Sequence, residues 1–137
     1  METIVIVTRA RSEPVDITGQ VQEAVSRSGQ KDGVAVVYSP HTTAGVTVNE
    51  HADSDVMADV FATLERLVPR SGPYAHGEGN SDAHVKASLV GLSVLVPIEQ
   101  GRLALGTWQG IFFCEFDGPR RRRALVRVIG ASAKPRG

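Results

Sequence analysis

Between Ser93 and Ile129 the chain is a succession of short apolar stretches: Ser93–Ile98, Leu103–Thr107, Ile111–Phe116 and Ala124–Ile129. Turn signals separate them, among them Glu99-Gln100-Gly101 and Gly118-Pro119. Each stretch has the length of a strand, and connections this short join antiparallel neighbours, since parallel ones need a long crossover. The C-terminal part of the chain is therefore committed to an antiparallel sheet. Everything upstream has to extend that sheet or pack on it.

The upstream pattern supplies both. Ile4–Val7 is a continuous apolar run, the pattern of a strand covered on both faces, and Pro14 breaks it. Asp16 or Thr18 caps a helix to about Ser28, with Val21, Ala24 and Val25 on one side and Gly29 as its stop. A turn at Lys31-Asp32-Gly33 leads into Val34–Tyr38, ended by Pro40, and Val46–Val48 alternates as a further strand. Asp53 and Asp55 open the clearest helix, to about Val68, with acid where the macrodipole is positive. Its apolar stripe is Val56, Val60, Leu64, Leu67 and Val68, widened by Met57 and Phe61, and Pro69 and Gly72-Pro73 end it. After a loop over 74–82, a short helix over 83–89 is expected, capped by Ser81 or Asp82. The expectation is one α+β domain over residues 1–137, a sheet or barrel with two main helices on one side and a frayed 131–137 tail.

Composition narrows the function classes. A chain of 137 residues buries enough surface to fold without disulfides, and its one cysteine, Cys114, has no partner within it. The lone thiol suits a reducing compartment. METIVIVTRARSEP lacks a basic leader region, and no apolar run approaches the ~20 residues of a membrane span, so a cytoplasmic, non-membrane protein is expected. The formal net charge of zero conceals a polarity. Residues 118–137 hold seven basic side chains and no acid, offsetting an acidic body. Arg120, Arg121, Arg122 and Arg123 enter a strand and alternate between its faces, so they form no continuous basic stripe and nucleic acid is not expected as a partner. They are expected to divide between ion pairs and one or two anion contacts.

Three polar segments interrupt apolar ones. Ser39–Gly45 places His41 beside the hydroxyls of Thr42 and Thr43 in one turn, a combination suited to a metal or to phosphate. His76–His84 holds His76, Glu78, Asp82 and His84, and with His41 from the other loop it makes a candidate three-imidazole site for a divalent cation. In Gly106–Arg120, Trp108 and the phenylalanines read as core, and Cys114 as a buried small hydrophobe. Glu115 is expected inside or against a neighbouring subunit, where a buried carboxylate needs a partner. Arg120 is placed to bind an anion. His51 reads as a surface histidine.

These residues carry a resemblance. SPHTTAGVTVNE (39–50), the Asp53-x-Asp55 helix start, HGEGNSDAHVKASLVG (76–91), GTWQGIFFCEFDGPR (106–120) and the RVIG end resemble the YjbQ family over nearly the whole chain. His51 departs from it, standing where asparagine is expected. The resemblance implies a largely antiparallel, barrel-like fold assembled as a homotrimer. It also implies a weak thiamine phosphate synthase activity, joining a pyrimidine diphosphate to a thiazole phosphate with loss of pyrophosphate, with an unsettled physiological role. On this reading His41, His84 and Glu78 are catalytic. Thr42, Thr43, Asn80, Ser81, Lys86, Glu115 and Arg120 bind a small phosphorylated ligand, and His41, His76 and His84 hold zinc or magnesium. The alternative is a non-catalytic module that binds a metal or a phosphorylated ligand.

Overall fold

The computed structural model describes residues 1–132; residues 133–137, with Lys134 and Arg136 of the basic tail and most of the stretch expected to fray, lie outside the described residues. The elements are β1 (Glu2–Val7), β2 (Glu13–Asp16), α1 (Thr18–Ser28), β3 (Gly33–Tyr38), β4 (Ala44–Glu50) and α2 (Ser54–Leu67). There follow α3 (Ser81–Val90), β5 (Ser93–Glu99), β6 (Arg102–Leu103), β7 (Gln109–Glu115) and β8 (Arg121–Gly130). The strands form two sheets, one in the order β1-β8-β3-β5-β6 and one in the order β2-β7-β4. Each paired neighbour is antiparallel, and the fold is α+β as expected.

The two sheets share a core. Ile4, Ile6, Val37, Val96, Ala124 and Val126 point inward from the larger sheet and meet Val46, Ile111 and Phe113 of the smaller one. Val21 and Ala24 of α1 join the same cluster. β7 is buried on both sides: its alternate residues Phe112 and Cys114, with Phe116 just beyond its end, turn to a second cluster under α2 and α3, with Met57, Ala83 and Ala87. Burial pushes the Cys114 thiol up to about 12, so it packs as the small hydrophobe expected.

The departures have local causes. Pro14, expected to break the pattern, sits inside β2, an edge strand, where a missing N–H removes no interior ladder bond. The expected strand Leu103–Thr107 reduces to Arg102–Leu103, and Trp108, expected in the core with the phenylalanines, stands exposed just before β7 begins. On α2 Met57 is buried, Val60, Phe61 and Leu64 pack beside it, and Val68 is buried just past the helix, as the stripe predicts; Leu67, expected on that stripe, is exposed. The start of α2 is as read, since the Asp53 side chain accepts from the Asp55 N–H at 2.9 Å. α3 begins at Ser81 with Asn80 at the N-cap position, where Ser81 or Asp82 was expected, and the Asn80 side chain makes no cap bond.

The outer face of the larger sheet is uncovered. Val5, Val7, Tyr38, Leu95 and Ile129 are exposed on it, and Arg123 and Arg121 stand opposite Val5 and Val7; β1, expected to be covered on both faces, is covered only on the side of Ile4 and Ile6. Among the described residues no helix is long and apolar enough to cross a membrane.

Candidate phosphate-binding site

The turn between β3 and β4 is tied by one buried hydroxyl. Ser39 Oγ donates to the Ala44 carbonyl at 2.8 Å and accepts from the His41 N–H at 3.3 Å. This holds His41, Thr42 and Thr43 against the end of β8. There His41 Nε2 accepts from the Arg123 backbone N–H at 3.1 Å, and the imidazole stands edge-on to Phe113. Burial and the positive charge of Arg122 hold the His41 ring below its ordinary pKa. With Nε2 accepting, the neutral ring carries its proton on Nδ1, as a donor.

Beneath the turn lies a buried ion pair. Glu115 ends β7 and is fully buried; Arg122, with Ala124 and Val126, lies on the inward face of β8. Arg122 Nε donates to both Glu115 oxygens, at 2.8 and 3.1 Å, and Nη2 donates to Glu115 and to Thr43 Oγ1. Thr8 Oγ1 donates to Glu115 Oε1 at 2.8 Å. Burial raises the Glu115 carboxyl, but the bonds from Arg122, the Asp117 N–H and Thr8 outweigh it and hold the group below its usual range. Arg122 Nη1 makes no hydrogen bond to any described residue, and Arg122 lines the cavity above.

The third wall is the start of α3. Asn80 Nδ2 donates to Asp117 Oδ2 at 2.8 Å, and Arg120 Nη2 donates to the same oxygen at 3.2 Å. Asn80 Oδ1 is buried with no partner among the described residues. Asp82 is fully buried in the first turn and takes both amino groups of Arg11, at 3.1 and 3.2 Å, and Lys86 Nζ at 2.8 Å. Lys86 also reaches Glu65 on α2 at 2.7 Å. Burial would raise Asp82, and the bonds from Arg11 and Lys86 pull it below its usual range.

These walls enclose a cavity of about 360 Å³. It brings together His41, Thr42, Thr43, Glu78, Asn80 and His84 of the expected site residues, with Arg120. Pro40, Asp117 and Arg122 complete its lining. Three expected ligand residues are elsewhere. Lys86 is buried and spent on Asp82 and Glu65, so it fastens α3 and faces no ligand. Glu115 lies behind the cavity as the anchor of Arg122. Ser81 lines a neighbouring, mostly apolar cavity with His76 and His84. Arg122, the cation the sequence reading did not single out, was marked by its register: it alternates with Ala124 and Val126, both core residues.

The metal set does not assemble in the same way. Among the described residues no group of three or more His, Cys, Asp or Glu side chains is arranged to hold a metal ion. His76 and His84 stand edge to face with ring centres 5.4 Å apart, Glu78 lies 3.6 Å from His76 Nε2, and His41 Nε2 is engaged by Arg123. The donors present do not fit a three-imidazole metal centre. Arg120, Arg122, His41 and the Thr42 and Thr43 hydroxyls bring cations and hydrogen-bond donors to the cavity, beside the carboxylates of Glu78 and Asp117, of which Asp117 is paired with Arg120; the cations and donors are chemistry suited to an anion. His51, outside it, pairs with Asp16 at 2.9 Å and ties the end of β4 to the start of α1.

Comparison with known proteins agrees with this fold. A profile of the family described as "UPF0047 protein YjbQ-like" matches residues 2–131. A UPF0047 protein of Methanocaldococcus jannaschii is 55% identical over 91% of this chain and 91% of its own length. The UPF0047 protein YugU of Bacillus subtilis is 47% identical over 95% and 99%. Among solved structures, an uncharacterised YjbQ/UPF0047 protein of Clostridium acetobutylicum superposes with a TM-score of 0.93 at 51% identity, covering 94% of this chain and all of the other. A protein of unknown function from Sulfolobus solfataricus gives 0.91 at 34% identity, over 95% and 96%. These descriptions carry no activity. The chain belongs to the YjbQ family of UPF0047 proteins.

Proposed function

We propose that the cavity between His41, His84 and Arg122 binds a phosphorylated small molecule and carries a weak thiamine phosphate synthase activity. The observation behind this reading is Arg122: a buried guanidinium, fixed through Nε and Nη2 by Glu115 and Thr43, on a residue that lines the same cavity as Arg120. Nδ1 of His41, the Thr42 and Thr43 side chains and the positive end of α3 supply further donors. In the proposed reaction the C–O bond between the pyrimidine methylene and the diphosphate breaks, and its electron pair leaves with pyrophosphate. The thiazole nitrogen forms the new C–N bond, and no proton has to be removed to make it. What such a step needs is stabilisation of charge on the leaving group, which arginines and hydrogen-bond donors provide.

The test is direct. Purified protein is assayed for thiamine phosphate from the two halves, alongside His84→Ala and Arg120→Ala. Activity that falls about a hundredfold in the variants supports the reading. Activity absent from the wild type, or unchanged in both variants, overturns the synthase reading. The alternative, a non-catalytic phosphate-binding module, draws on a separate observation. Asp82, Glu115 and Asp117 are each paired with a cation, which leaves exposed Glu78 as the carboxylate without an arginine or lysine at the cavity. Saturable binding of pyrophosphate without turnover would establish it.

The proposal includes a homotrimer. The exposed apolar row on the outer face of the larger sheet, with Arg121 and Arg123 at its margin, is the surface a second copy would cover. Leu95→Lys should then yield monomers by light scattering after size exclusion; an unchanged assembly would move the contact elsewhere. Arg122 plays no part in that contact, because it is interior.

A further inference from the structure

His84 lines two cavities. One is the anion cavity with Arg120 and Arg122; the other, of about 310 Å³, is walled by Tyr74, Ala75, His76, Ser81 and Val85. No arginine or lysine lines the second cavity. Its apolar walls are an aromatic ring, an alanine methyl and the isopropyl group of Val85, which is partly exposed on α3. The walls are also set in advance. The Tyr74 hydroxyl donates to the Pro69 carbonyl, its N–H donates to the Gly72 carbonyl at 2.8 Å, and its ring lies over Gly72, where a Cβ would stand 3.2 Å from it. His76 and His84 hold each other edge to face, at an interplanar angle of 83°.

A polar cavity and an apolar one that share a single imidazole suit a ligand with one end of each kind. We infer that the Tyr74–Val85 cavity is a second subsite, taking a flat apolar ring joined by a short linker to the phosphate held at Arg120 and Arg122. Tyr74 and Val85 then determine specificity, and the His84 imidazole stands at the linker. The inference rests on the phosphate reading above. Space permits it, since an apolar cavity of roughly 150 Å³ already admits benzene. Aromatic walls and a fixed tyrosine favour a ring over an alkyl chain.

The experiment measures two affinities by calorimetry, for benzyl phosphate and for inorganic phosphate, and takes their ratio. Wild-type protein should bind benzyl phosphate about tenfold more tightly, the gain from burying one small ring. Val85→Trp, which fills the cavity from an exposed helix position, should bring the ratio to about one. Val85→Ser, which keeps the space and removes the apolar wall, should lower it part of the way and covers the case in which tryptophan disturbs α3. A wild-type ratio near one, or a ratio unmoved in both variants, overturns the subsite while leaving phosphate binding intact. Failure of the wild type to bind either compound removes the phosphate reading itself, and the subsite with it.

Discussion

Arg122 and Glu115 approach from different sheets, β8 and β7, and meet at the end of the core with Arg122 Nε 2.8 Å from Glu115 Oε1. Neither side chain has appreciable contact with solvent. Removing one partner therefore strands the other charge in the interior. Glu115→Gln should destabilise the fold by about 3–5 kcal/mol, measured by urea unfolding. The double variant Glu115→Gln with Arg122→Gln should be less unstable than the sum of the single changes, since the stranded charge is gone. Additive losses would show that the pair contributes little beyond packing.

The same carboxylates set the acid limit. Glu115 and Asp82 are held below their ordinary range in the folded chain, so the unfolded chain takes up protons first as pH falls. Their contribution is full at pH 7 and above the unfolded values of about 4, and it drains away as pH falls through the folded ones. Stability measured from pH 6 to pH 2 should drop steeply below about pH 4. In Glu115→Gln the slope should be shallower, because one depressed carboxyl is missing. An equal slope would locate the acid sensitivity elsewhere.

Gly118 sits where the chain passes closest to this pair. A Cβ there would stand 2.4 Å from the Ala10 carbonyl oxygen, 2.8 Å from Thr8 Oγ1 and 2.9 Å from Glu115 Cγ. The first of these is backbone and cannot swing aside. Gly118→Ala should cost about 1–3 kcal/mol and loosen the Thr8–Glu115 bond. Gly77→Ala, with nothing within 4 Å, is the control and should leave the melting temperature nearly unchanged. Equal effects at the two positions would refute the steric account.

The strands and α1 were legible because alternation, capping and turn residues are local signals. Gly29 and Asp53 act where their types predicted, with Gly29 in the left-handed region at φ 70°; at α1 the N-cap position falls on Ile17 with no side-chain cap bond, and Asp16, one residue earlier, accepts from the Thr18 N–H at 2.9 Å. The candidate site was half legible for the same reason. His41, Thr42 and Thr43 share one turn, so composition alone gathered them. Lys86 misled because a lysine close to a histidine on one helix looks like a partner for a ligand. Which face of α3 it occupied depended on Asp82, Arg11 and Glu65, and Arg11 is distant in sequence. Glu115 was expected inside or against a neighbouring subunit, and it is inside, but naming Arg122 as its partner required knowing that the ends of β7 and β8 face one another. Long-range pairing of this kind leaves no trace in spacing.

The donor chemistry around His41 bears on metal dependence. Nε2 accepts from the Arg123 N–H, so coordination through that nitrogen would break a hydrogen bond made by the backbone of β8. The neighbouring carboxylates are engaged as well: Asp82 by Arg11 and Lys86, Glu115 by Arg122, and Asp117 by Arg120 and Asn80. What remains, His76, His84 and exposed Glu78, forms no ligand group in this arrangement. Phosphate affinity should therefore be the same before and after dialysis against a chelator, as read by calorimetry, and elemental analysis should find far less than one zinc per chain. A stoichiometric metal that survives purification, with phosphate affinity lost on chelation, would overturn this. It would require the His76–His84 pair to rearrange around an ion, because a metal that anchors the ligand has to draw its donors from the one part of the cavity not already fastened by ion pairs.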